Sequence, residues 1–324
     1  MPTRNVRNSL LPLLLIAALA GCSKSGQAPT AITTPGGSTG GTQMNEAAVT
    51  ATLAAEPDLV EDGIAEASME TSLGSDAPAG ATAAIRPLTF WRRIDPVRST
   101  RTFEFAFADT DSTGQPTTAH VTVRRRLVGT FNILAGPIDP TAPLPPRDSL
   151  DVVHKPLEDH WVRHLLLKRV PLEATDGRGD ARVRWRIAAT SGVQVTSKDA
   201  TTDITSLRVQ SGDVDTTITD PLALFRLRRV LRFAGGAQVT ITLTTGRNDD
   251  VSLLYLRDGR FRLKNNGDGT YSGTFRAGVF AGVHHFGVNA LSHGTLFDDA
   301  APYDSQAWIL PYIVTPTELA DYVP

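Results

Sequence analysis

The sequence predicts an all-β protein: two antiparallel β-sandwich domains behind an N-terminal leash. Three observations carry that expectation. After Arg86 apolar residues recur at every second position, which puts one face of a strand on a core and the other in water. Turn-forming pairs such as Asp258-Gly259, Asn266-Gly267 and Asp268-Gly269 fall between these runs at short spacing. Long amphipathic helices are lacking. The chain of 324 residues divides into residues 1–21, a cleaved leader; 22–84, a low-complexity and acidic linker; 85–219, a first sandwich; 220–316, a second; and 317–324, a tail.

In the first sandwich Phe103, Phe105 and Phe107 alternate with Glu104 and Ala106, and Val183, Trp185 and Ile187 alternate with Arg182, Arg184 and Arg186. The stretch from Gly136 to Arg147 is too rich in Pro for a core strand and reads as a loop. In the second, Val239, Ile241 and Leu243 alternate with threonines. Tyr255 to Leu263 reads as a hairpin turning at Asp258-Gly259, because glycine accepts the positive φ of two-residue turns. Residues 221–233 fit either a helix capped by Asp220 or an alternating strand. Core positions are expected for Trp185 and Trp308, leaving Trp91 and Trp161 as candidates for a sugar-binding aromatic platform.

Composition narrows the function classes. Thirty-two Lys and Arg against thirty-four Asp and Glu give a net charge of −2, which excludes a strongly basic nucleic-acid binder. A single Cys excludes a disulfide framework and any Cys-rich zinc module. Charge is unevenly spread. Residues 43–84 hold eight acids and no Lys or Arg, whereas 85–324 hold 26 acids and 29 bases. The Gly, Ser, Thr and Pro of 23–42 predict a disordered leash, and the acidic part a solvated, partly helical linker. Its alternative is docking of Leu59, Val60 and Ile64 onto the body.

Arg4 and Arg7 precede an apolar stretch from Leu10 to Ala20, about half the length that spans a bilayer. It runs into Leu19-Ala20-Gly21-Cys22, which resembles the lipobox of bacterial lipoproteins. That resemblance implies cleavage before Cys22, lipid on its thiol and amine, and anchoring in the cell envelope. Ser23, in place of Asp, implies the outer membrane. Strand-like segments 238–244, 250–256, 269–275, 282–291 and 308–314 succeed one another with Asp268-Gly269-Thr270-Tyr271 and Gly282-Val283-His284-His285-Phe286 motifs. They resemble bacterial immunoglobulin-like domains over about ninety residues. The resemblance implies a fold, not an activity.

Side chains able to do chemistry are sparse. His160 and His164 lack the following Glu of a metalloprotease motif. Asp159 and His154 lie close by in sequence, and His284, His285 and His293 precede Asp298, Asp299 and Asp304. Adjacent His284 and His285 would point to opposite faces of a strand. Calcium is the ion with the most oxygen donors on offer, at Asp109 and Asp111 before Thr113-Gly114, at Asp268, and at Asp298 and Asp299; the acid an EF-hand needs is replaced by His120. No other cofactor is implied. The expected function is non-catalytic: an envelope lipoprotein that presents β-sandwich surfaces to an envelope polysaccharide or protein partner, with no nucleic acid involved. The alternative is a metal-dependent hydrolase using the His and Asp clusters.

Overall fold

A computed structural model of the chain describes residues 30–33, 40–73, 84–137, 143–171 and 183–315. It is mostly β, and most of its strands pair antiparallel, as the alternation predicts. The helices are α1 (Gly40–Ala55), α2 (Pro57–Val60) and a single turn, α3 (His293–Phe297). Cys22, the leader and the 317–324 tail lie outside the described residues.

The larger sheet grows from the N-terminal side. β1 (Thr30–Thr33) lies parallel to β4 (Thr100–Thr110), so part of the expected leash is strand. β2 (Thr71–Ser72) pairs with β3 (Arg86–Ile94). The 21-residue β5 (Pro116–Gly136) takes β4 along its first half and β3 along its second. β6 (Asp151–Pro171) covers the other edge of β5 over its whole length and then pairs with β7 (Val183–Ser197). Between β5 and β6 the Pro-rich segment forms no strand where it is described.

The second sheet is assembled from β8 (Ile204–Ser211), β9 (Val214–Ile218), β12 (Gln238–Thr245), β15 (Lys264–Asn265) and β16 (Thr270–Arg276), in the order β15-β16-β12-β8-β9. Residues 221–233 are extended: β10 (Phe225–Arg226), one 3₁₀ turn and β11 (Leu231–Ala234). β13 (Val251–Tyr255), β14 (Arg260–Arg262), β17 (Gly282–Leu291) and β18 (Ser305–Thr315) complete the set, and they extend the larger sheet. The junction is β18 against β7, Gln306–Ile309 beside Thr196–Val193. One sheet therefore runs from β1 to β14 and serves two cores.

Its two faces differ. Leu254, Val288, Ala290, Trp308 and Leu310 meet Ile241, Leu243, Tyr271 and Phe275 of the smaller sheet. On the opposite face Leu253, Tyr255, Ala307 and Ile309 join a core with Phe105, Val121, Phe131, Leu165 and Trp185. The expected β13–β14 hairpin forms, with Leu256 N–H donating to the Gly259 carbonyl. Gly259 does not take a positive φ, however. A Cβ there would lie 2.7 Å from the Phe261 ring, so clearance under that ring accounts for the glycine.

The acidic segment is docked, not solvated. Val49 and Leu53, four apart on one face of α1, are 0% and 2% exposed, and Val60, Ile64 and Leu73 are equally buried in the first core. Each such side chain contributes roughly 1.5–3 kcal/mol when removed from water, which makes an Ala-rich helix of marginal propensity stable in place. Replacing Leu53→Ala in the full chain is expected to lower the unfolding free energy in urea by about 2–5 kcal/mol; a change within about 0.5 kcal/mol would mean α1 is not part of the core.

Candidate functional site

The oxygen ligands proposed from sequence serve turns. Asp111 Oδ1 accepts from the Thr113 N–H (2.9 Å), the Thr113 hydroxyl (2.6 Å) and the Gln115 N–H (3.0 Å), while Oδ2 pairs with Arg169 at 2.9 Å. Asp109 accepts from the Thr118 hydroxyl. Asp268 closes the β15–β16 turn through Thr270, beside Gly267 and Gly269 at φ 87° and 80°. Asp298 accepts from Ala300 N–H, and Asp299 adds negative charge near Lys155.

The His and Asp clusters are dispersed. Asp159 faces inward and is 1% exposed, whereas the neighbouring His160 lies on the opposite face of β6. His154 is bound to Asn132 at 2.7 Å. His284 stacks on Tyr312 and bonds to the Phe280 carbonyl; His285 turns the other way. His285 pairs with Pro311, six ladder positions from the Leu291–Ser305 pair beside Asp304, which is roughly 20 Å along the strand. Asp304 itself accepts from Thr201 and Thr202. Among the described residues no group of three His, Cys, Asp or Glu side chains is placed to hold a metal ion. Trp91 lies half-buried on the outer face of β3, but Trp161 is 1% exposed and offers no platform.

What alternation concealed is a row of charges on the buried face of β6. Lys155, Asp159 and Arg163 share that face with Leu157, Trp161, Leu165 and Leu167. Arg163 is fully buried, and its guanidinium donates to the Leu59 carbonyl at 2.7 Å and lies 3.4 Å from His285 Nε2. Asp62 accepts from the Trp161 indole N–H and from the N–H groups of Ile64 and Ala65, all at 2.7 Å. Burial works to raise the Asp62 carboxyl, yet the Arg163 charge and those backbone donors hold it below its ordinary value. Burial, reinforced by Arg163, holds His285 down to about 3, so the imidazole is neutral. Around this centre Glu61 pairs with Arg101 and Arg125, Glu66 with Arg125, and Glu70 with Arg147. Arg92 pairs with Asp159, near the Tyr303 hydroxyl. Lys155 reaches the carbonyls of Gly294 and Asp298 at 3.1 and 2.6 Å, and burial lowers its pKa to about 8. Glu61, Asp62 and Glu66 thus neutralise arginines of the sheet, and Glu70 one in the turn before β6. These groups hold the fold together, and none of them lines the cleft beside β9.

The open feature lies elsewhere. A cleft of about 330 Å³ sits on the flank of the second core between β9 and the 220–231 segment. Ile218, Leu224, Phe225, Leu231 and Leu310 line it, with Arg229 beside them. Twelve of its lining residues fall within 216–231, a continuous stretch of chain, and β18 adds Leu310 and Pro311; only the strand pairing shows that they enclose a cleft.

Two outcomes test these assignments. Asp62→Ala strips the buried Arg163 of its counter-charge and the Trp161 N–H of its acceptor, and is expected to destabilise by about 3–5 kcal/mol in urea; Asp62→Leu combined with Arg163→Met should recover much of that loss. The second concerns Asp250, 3% exposed, whose carboxyl is pushed up to about 6 by burial and by repulsion from Asp249, against the pull of Thr245. Between pH 3.8 and 6 the folded state then binds more protons than the unfolded, so stability falls as pH rises through that window. Relative to Asp250→Asn, the wild-type melting temperature should drop from about pH 4 to pH 6 and run parallel above; a flat difference would remove Asp250 from the account.

Compared with models of protein families, with curated proteins and with solved structures, the chain matches none.

Proposed function

We propose that this chain is a non-catalytic lipoprotein of the bacterial cell envelope, anchored through lipid on Cys22 at the outer membrane, whose β body binds an envelope polymer or a protein partner. One observation carries the reading: the only Cys of the chain closes Leu19-Ala20-Gly21-Cys22 directly after the apolar stretch 10–20. Two acyl chains or more suffice for stable membrane attachment where one does not. The body's role is supported by where its polar groups are spent. Asp111, Asp268 and Asp298 cap turns, Asp62 and Asp159 serve buried arginines, and what stays open is an apolar cleft. We keep the immunoglobulin-like sandwich expected for residues 220–316 as the finer reading, its smaller sheet completed by β8 and β9; two sheets facing each other across one apolar core support it.

Expression of the full chain with labelled palmitate tests the anchor. Wild type is expected to take up label and sediment with outer membranes, Cys22→Ala to stay unlabelled, and Ser23→Asp to keep the label but move to the inner membrane. An unlabelled wild type, or label independent of Cys22, would defeat the reading.

A further inference from the structure

The cleft has an unpaired strand for one wall. Among the described residues β9 ends its sheet and pairs only with β8. The hairpin joining them pairs Ser211 with Val214 around Gly212-Asp213, and Gly212 has φ 54° while Asp213 stays at negative φ, the pattern of a type II′ turn. In a two-residue hairpin the flanking pair is hydrogen-bonded and pairs then alternate. Val214, Thr216 and Ile218 therefore bond to β8, whereas the N–H and C=O groups of Asp215 and Thr217 point outward from the sheet. The side chains of Val214 and Ile218 pack on the core, so the free edge and the apolar cleft lie side by side. β11, across the cleft, pairs among the described residues with β18 alone. The flank between the two sheets is thus open along both edges.

Charge selects what can fill it. Arg226, Arg228, Arg229 and Arg232 are exposed along the β11 side, and among the described residues none of them takes part in an ion pair. Of the acids nearby, Asp215 pairs with Arg208 at 2.6 Å and Asp220 accepts from the Leu222 N–H at 2.8 Å, while Asp213 sits in the turn before β9. A free strand edge recruits extended backbone, an apolar cleft takes its alternate side chains, and unpaired arginines favour acids.

We propose that this flank is the docking site for an extended, acidic segment of a protein partner. The segment adds a strand to β9 through Asp215 and Thr217, sets alternate apolar side chains into the cleft, and lays its carboxylates against Arg226, Arg228, Arg229 and Arg232. This rests on reading the body as a binding module; the anchor is tested separately by palmitate labelling, so either can fail alone.

The probe is a fluorescein-labelled synthetic peptide of alternating Glu and Val, about six residues long, titrated by anisotropy into the full chain in detergent. Saturable binding is expected, with the Lys-Val analogue at least about tenfold weaker. Thr217→Pro removes an outward N–H without touching the β8 ladder and should weaken binding by about tenfold; Arg226→Glu with Arg229→Glu should reverse the charge preference. As a measurement free of mutation, amide exchange at Asp215 and Thr217 should slow when peptide is added. The proposal is overturned if wild type binds neither peptide, if Thr217→Pro binds the acidic peptide as well as wild type, if those amides stay unprotected, or if decanoate fills the cleft while the peptide does not bind.

Discussion

Arg163, Asp159 and Lys155 lie on the same inward face of β6 as Trp161 and Leu157, and a charge sealed there without an opposite charge destabilises a fold by several kcal/mol. Much of the architecture around the first core answers that constraint. The chain before the sheet supplies Asp62 and the Leu59 carbonyl to Arg163, β3 supplies Arg92 to Asp159, and the end of α3 supplies two carbonyls to Lys155. Each partner comes from a different part of the chain, so the three charges act as addresses that fix which segments meet β6. Apolar contacts alone would hold α1 and residues 56–73 against the sheet in many registers; a buried guanidinium accepts only one.

The same constraint explains how much of the fold could be read in advance. Val239, Ile241 and Leu243 alternate with threonines and lie where that pattern puts them, as do Phe103, Phe105, Trp185 and Ile187. All five strands expected between residues 238 and 314 are present. Alternation fails on β6 because it assumes that charge marks the wet face. Lys155, Asp159 and Arg163 obey the period and break the assumption, and Trp161 went with them from candidate platform to core. The acidic segment was misjudged for a related reason: Glu61, Asp62 and Glu66 look solvated until the arginines that receive them are known, and those lie 40 to 101 residues away. The cleft was illegible because a free edge is a property of pairing, not of residues 214–218.

Joining β7 to β18 also changes what the second core is. Trp308 and Ile309 are neighbours on one strand, yet they belong to different cores, so a distortion of β18 is felt on both sides. Ser305 and Gln306 strengthen the seam: Ser305 N–H donates to the Ser197 hydroxyl, and Gln306 accepts from Ile204 N–H where the smaller sheet begins. The two halves are better regarded as one folding unit with a shared wall than as beads on a string.

The parallel pairing of Thr30–Thr33 with β4 bears on how such a body would sit in an envelope. Only seven residues lie between Cys22 and Thr30, a span of at most about 28 Å even when fully drawn out. A lipid on Cys22 would therefore keep the β1 edge, beside β4, within about 28 Å of the bilayer surface. The body's tilt would be limited, and its partners would have to be found in a thin layer next to the membrane.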